Sequence, residues 1–150
     1  MDAYVRPIEI RWADLDPNFH MAHSKYYDLG AYCRIAYFTE YGIDNAYLAE
    51  HHFGPILFRE ECKFKKEIRF GDEVIVNLRL QEVNPDYSRW TIVHEIWKNK
   101  DILAAVITVD GAWMDTIKRK LVIPPAQVGA LFESAPRTHP SKKQILEKAP

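Results

Sequence analysis

Cysteine is scarce in this chain of 150 residues: Cys33 and Cys62 are the only two. They have neither the close spacing of a metal site nor the partners of a disulfide framework, so both read as reduced, packed thiols. No run approaches the roughly 18 consecutive apolar residues that a membrane span needs. The opening "MDAYVRPIEIRW" lacks a basic segment followed by an apolar one, so no signal peptide is expected and the chain reads as soluble and cytoplasmic. An excess of either charge is also missing. The formal net charge is −1, which argues against a nucleic-acid binder driven by phosphate neutralisation. Internal repeats and interior low-complexity linkers are absent. Hydrophobic residues, by contrast, make up 47% of the chain. That suffices for one well-buried domain, expected over residues 1–136, with a polar tail over 137–150.

The patterning predicts an α+β order. "YVRPIEIRW" reads as a first strand, with Pro7 marking an edge or bend. After an unusual loop, "SKYYDLGAYCRIAYFTEYG" has the spacing of a long helix. Ser24 is its candidate N-cap and Gly42 its stop, and it is apolar over much of its circumference, which suggests burial on several sides. A short helix is expected near 44–50. "CKFKKEIRF", "EVIVNLRLQEV" and "RWTIVHEIWK" alternate with period two, and "NKD" closes a tight hairpin into "ILAAVITVDGAWMD", apolar on both faces. Pro124 and Pro125 introduce a last short helix near 126–134. One helix cannot cover so long and apolar a sheet, so self-association is expected.

The loop and helix start, "RWADLDPNFHMAHSKYYDLGAYCR" over residues 11–34, carries the chemistry-bearing residues. Asp14, Asp16, His20, His23, Tyr26 and Tyr27 crowd into it. A solvated turn built on Asp, Pro and Asn is one reading. A mixed carboxylate–imidazole metal site from Asp16, His20 and His23 is a second. Its histidines precede the helix rather than share a helical face, and no fourth ligand is near in sequence. The third is carboxylate-driven acyl transfer, with Asp16 beside the unpaired N–H groups and positive dipole end of a helix.

This stretch resembles the opening motif of the hotdog-fold acyl-CoA thioesterases, specifically the 4-hydroxybenzoyl-CoA thioesterase-like group. Asp14-Leu15-Asp16 is similar to the family's Asp-x-Asp, Tyr26 to its first-turn tyrosine and Arg34 to its helix arginine. The histidine seven residues after the second Asp, as in the branch resembling Tol–Pal-associated thioesterases, is His23. "GPILFREECKFKKEIRFGDEV" is similar to the family's second strand and the Gly-Asp turn into the third. Phe19 departs from the pattern, standing where the family usually has Gly. Its bulk and its aversion to positive φ predict a changed loop path.

The resemblance implies a hotdog fold, a long central helix wrapped by an antiparallel sheet. It implies hydrolysis of an acyl-CoA thioester to free acid and CoA, without a cofactor or metal, in a homodimer or homotetramer. Asp16 and His23 become the implied catalytic residues, with Asp16 as nucleophile or general base and Asp14 structural. Ser24 and Tyr26 are implied substrate-binding residues, as are Pro55, Ile56 and Leu57, with Phe58, as a wall from the partner protomer. Tyr26 and Arg34 read equally well as packing or surface-pairing residues, and His51 and His52 as a solvated pair. Lys63, Lys65, Arg69, Arg89 and the run Lys118, Arg119, Lys120 are candidates for CoA phosphates or plain solvated surface. Two alternatives stay open: a non-catalytic acyl-CoA or acyl-carrier-protein binding module, and a hotdog hydratase or dehydratase. Retention of Asp16 and His23 argues against the first. The downstream acidic spacing of the second is not found.

Overall fold

A computed structural model describes residues 4–138. Its elements are strand β1 (Tyr4–Ile8), helix α1 (Tyr26–Glu40), helix α2 (Asn45–His51), strands β2 (Phe53–Phe64), β3 (Val74–Val83), β4 (Arg89–Lys98), β5 (Ile102–Asp115) and β6 (Lys120–Leu121), and helix α3 (Gln127–Glu133). The strands form one antiparallel sheet in the order β1-β3-β4-β5-β2, with the short β6 added to β5. Among the described residues, no helix is long and apolar enough to cross a membrane.

Alternation makes the face that meets α1. Val74, Val76, Leu78 and Leu80 of β3 are all buried, each worth about 1.5–3 kcal/mol against exposure. Trp90, Ile92 and Ile96 of β4 and Ala105, Ile107, Val109 and Trp113 of β5 continue that face. Across it lies α1, with Phe38 set edge-on to Trp90 and tilted against Trp113. β5 is interior to the sheet, as its apolar character on both faces led one to expect. α3 caps one end, where the Tyr37 hydroxyl donates to the Leu131 carbonyl at 2.6 Å and Phe132 stacks on Tyr87.

Within one chain α1 buries a single stripe, Tyr26, Gly30, Cys33, Arg34, Tyr37 and Phe38. Tyr32 and Ile35 remain exposed, so the expected burial on several sides is not met within this chain. Gly42 ends the helix at φ +80. Its N–H returns to Thr39 and that of Ile43 to Phe38, a Schellman arrangement that satisfies two orphan carbonyls. Ser24 does not cap the helix. A 3₁₀ turn over His23–Lys25 precedes α1, and Ala22 and Lys25 occupy the two cap positions without side-chain hydrogen bonds.

The strand expected at "CKFKKEIRF" is displaced. β2 starts at Phe53 and ends at Phe64, where the N–H groups of Lys65 and Lys66 converge on one carbonyl, that of Ala104. Sharing one acceptor breaks the ladder's register, and the chain leaves the sheet. The hairpin at Asn99 and Lys100 is as expected, with both residues at positive φ. Residues 136–138 line up beside β3: the Leu80 N–H donates to the Pro136 carbonyl and the Thr138 N–H to the Leu80 carbonyl. Beyond 138, the expected polar tail lies outside the described residues.

Candidate active site

The Asp16 loop is a hairpin with a defined turn. The Phe19 N–H donates to the Asp16 carbonyl at 3.0 Å, and the Asp16 N–H to the His20 carbonyl at 2.9 Å. Leu15 and Met21 pair across its base. Asp, Pro and Asn fill the first three turn positions, and the Asp16 carboxylate locks the turn by accepting the Asn18 N–H at 2.8 Å. A three-residue hairpin loop of this kind ends on a residue in the left-handed region. That residue is Phe19, at φ +65. Phe19 thus adopts the conformation that glycine favours despite its Cβ, and the residue is 73% exposed.

Asp14 and Asp16 part company here. Asp14 is buried and held at both oxygens by Arg11, through the guanidinium at 2.8 and 3.2 Å and the backbone N–H at 2.9 Å. Those hydrogen bonds hold its carboxyl below the usual carboxylate range. Asp16 is only partly buried and opens into a cleft of about 430 Å³. Its Oδ2 lies 3.4 Å from His20 Nδ1. The cleft is lined by His20, Met21, His23 and Tyr26 on one side and by Phe64, Lys65, Lys66 and Glu67 on the other. Tyr26 stands edge-on to Phe64 at 4.9 Å. Burial and the nearby Cys62, Asp16 and Glu67 push its phenol up to about 12, so it stays protonated.

The structure thus brings Asp16, His23 and Tyr26 together. Ser24 sits in the same 3₁₀ turn but outside the lining. Among the described residues, the N–H groups of His23 and Ser24 donate to no other group, as befits the first positions of a helical turn. Pro55, Ile56 and Leu57 lie near the start of β2, while the cleft meets that strand at its far end, Phe64. A single chain does not unite them with Asp16. Arg34 is not at the helix surface: it is buried, its Nη1 2.9 Å from His94 Nε2. Of the basic candidates, Lys65 lines the cleft, Arg69 pairs with Glu67 at 2.9 Å, and Arg89 lies over the Phe58 ring. Lys118, Arg119 and Lys120 are exposed at the turn into β6. His51 is exposed and stacks on Tyr47. Among the described residues, no three His, Cys, Asp or Glu side chains are placed to hold a metal ion.

Sequence reasoning missed Met21, Phe64, Lys66 and Glu67. Their place depends on a pairing between distant segments, in which His20 bridges to Arg69 and the Met21 N–H donates to the Ile68 carbonyl at 2.7 Å. No local pattern announces it.

Comparison with solved structures gives the same architecture. A hypothetical protein from Staphylococcus aureus, solved in complex with CoA, superposes with a TM-score of 0.83 at 16% identity, covering 99% of this chain and 94% of that one. A 1,4-dihydroxy-2-naphthoyl-CoA thioesterase from Synechocystis gives 0.79 at 14%, covering 88% and 96%. A DHNA-CoA thioesterase from Staphylococcus aureus gives 0.79 at 18%, covering 89% and 90%. No curated protein sequence matches. Residues 10–132, which take in the Asp16 hairpin, α1 and β2 through β5, match the thioesterase-like superfamily. This is a hotdog fold, and the chain belongs to the thioesterase-like superfamily.

Proposed function

We propose that the protein hydrolyses an acyl-CoA thioester at the Asp16 cleft. One observation carries the reading: a partly buried carboxylate shares a cleft with His23, in the 3₁₀ turn that leads into α1 and whose first two N–H groups have no acceptor among the described residues. In this reading water adds across the C–S bond, its OH going to the acyl carbon and its proton to the CoA sulfur. Asp16 supplies the carboxylate, either attacking the carbonyl itself or taking a proton from the attacking water. The N–H groups of His23 and Ser24, which have no acceptor among the described residues, would take up the charge that the carbonyl oxygen gains, and the His23 ring orients water or substrate. Met21, Tyr26 and Phe64 form an apolar floor for the acyl group. Lys65 and Lys66 at its edge suit the phosphates of CoA, the ligand held by one of the solved relatives.

The same reading makes the protein a homodimer or a homotetramer. Among the described residues β2 pairs on one side only, with β5, and it exposes Leu57, Phe58 and Phe64. Two copies pairing antiparallel through this edge bring the start of one β2 to the end of the other. Pro55, Ile56 and Leu57 of a second copy then close the cleft over Phe64.

A thiol-release assay over short, long and aromatic acyl-CoAs tests the activity. Wild type is expected to free CoA, and Asp16→Asn to be slower by about 10²–10⁴-fold. If no thioester is cleaved above the Asp16→Asn background, the reading is wrong. Loss in Asp14→Asn alone, with that variant still folded, moves the carboxylate's role two residues upstream.

A further inference from the structure

We propose that His20 is the positioning residue of the Asp16 carboxylate, with Glu67 standing behind it. The inference rests on the thioesterase reading and deepens it. The two oxygens of Asp16 are held differently: Oδ1 accepts the Asn18 N–H at 2.8 Å, and Oδ2 faces His20 Nδ1 at 3.4 Å. Oδ1 already carries the hydrogen bond of its own turn, and Oδ2 is the oxygen that faces the His20 ring. A carboxylate oxygen offers two lone pairs, so Oδ2 can accept from His20 and still meet water or a carbonyl carbon.

The far side of the imidazole faces a second carboxylate. Its Nε2 lies 3.9 Å from Glu67 Oε2, and Glu67 is held by the Arg69 guanidinium at 2.9 Å. The backbones of His20 and Arg69 form a bridge, so ring, carboxylate and guanidinium belong to one stitched pair of segments. His23 lines the same cleft, but its side chain is exposed and makes no hydrogen bond among the described residues. The spacing of the sequence singles out His23, whereas the geometry points to His20 as the ring that orients Asp16. The 3.4 Å separation is longer than a formed hydrogen bond, and such contacts tighten when substrate displaces water.

Amide isosteres separate the two ring nitrogens. The side-chain nitrogen of Asn lies near the place of Nδ1, and that of Gln near the place of Nε2. The assay is thioester hydrolysis by the full chain, with kcat and KM for His20→Ala, His20→Gln and His20→Asn. His20→Ala and His20→Gln are expected to lose about 10–100-fold in kcat, as for removal of an outer-shell orienting group, with KM within about twofold. His20→Asn is expected to recover most of that loss. Equal losses in the Asn and Gln variants, or wild-type kcat in the Ala variant, overturn the proposal. If the Ala variant does not fold, the Asn–Gln comparison decides, since both keep a polar side chain in the hairpin. An active wild type that needs Asp16 but not His20 rejects this inference alone, whereas a wild type that cleaves nothing removes the thioesterase reading with it.

Discussion

Arginine can only donate hydrogen bonds, so the 2.9 Å contact between Arg34 Nη1 and His94 Nε2 makes that ring nitrogen the acceptor. The proton then sits on Nδ1, which donates to the Asn77 carbonyl at 2.8 Å. Full burial, with the Arg34 cation next, pushes the imidazole from 6.5 down to about 3. The unfolded chain therefore binds a proton that the folded one refuses in the window between those values. Stability is unaffected by this group above about 6.5 and falls as pH drops toward about 3. Urea denaturation across that window is expected to show the decline, with a flatter slope in His94→Gln; an identical slope in that variant assigns it to the carboxylates alone. Phe19 offers a second single-residue test. A Cβ in the left-handed region costs about 1–2 kcal/mol, partly offset by the greater unfolded freedom of glycine. Phe19→Gly should thus stabilise the fold by up to about 1 kcal/mol, read as a rise in the urea midpoint.

Among the elements, legibility followed how local each cause is. β3, β4, the Asn99–Lys100 hairpin and the Gly42 helix stop are set by alternation or by residues at the turn itself, and the sequence displays them directly. β2 was misplaced because its end is decided by two amides meeting the Ala104 carbonyl on another strand. Asp16, His23 and Tyr26 were legible from spacing, whereas Met21, Phe64 and Glu67 reach the cleft only through the bridge of His20 to Arg69. Packing and surface pairing stayed equally open for Arg34 because nothing near it in sequence reveals the His94 acceptor. The β4–β5 pair carries a sharper constraint. A Cβ on Gly111 would stand 2.3 Å from ring atoms of Trp90, the residue paired with it across the strands. Trp90 is buried against Phe38 and Trp113, so the ring cannot shift without disturbing those contacts. Gly111→Ala is expected to destabilise by about 3 kcal/mol or to prevent folding, as judged by denaturation followed through tryptophan fluorescence. A change below about 0.5 kcal/mol would mean that the ring can move aside.

At the scale of the whole molecule, the exposed Tyr32 and Ile35 on α1 and the free edge of β2 are what a single chain leaves uncovered. Sedimentation equilibrium is expected to give a mass of two or four chains, and Leu57→Glu to shift it toward one. A wild type that sediments as a single chain at a concentration where it cleaves thioesters would show that the cleft works without a second copy. The two ends of the described chain have a consequence of a different kind. β1 lies along β3 from Val74 to Leu78, and residues 136–138 take over beside the same strand at Leu80. During synthesis β1 must wait for β3, and β3 is not fully flanked until nearly the last described residue has emerged. Such sequence-distant closure slows folding. It leaves a growing chain with part of the β3 edge open until residues 136–138 emerge, and it makes their arrival the step that finishes flanking β3.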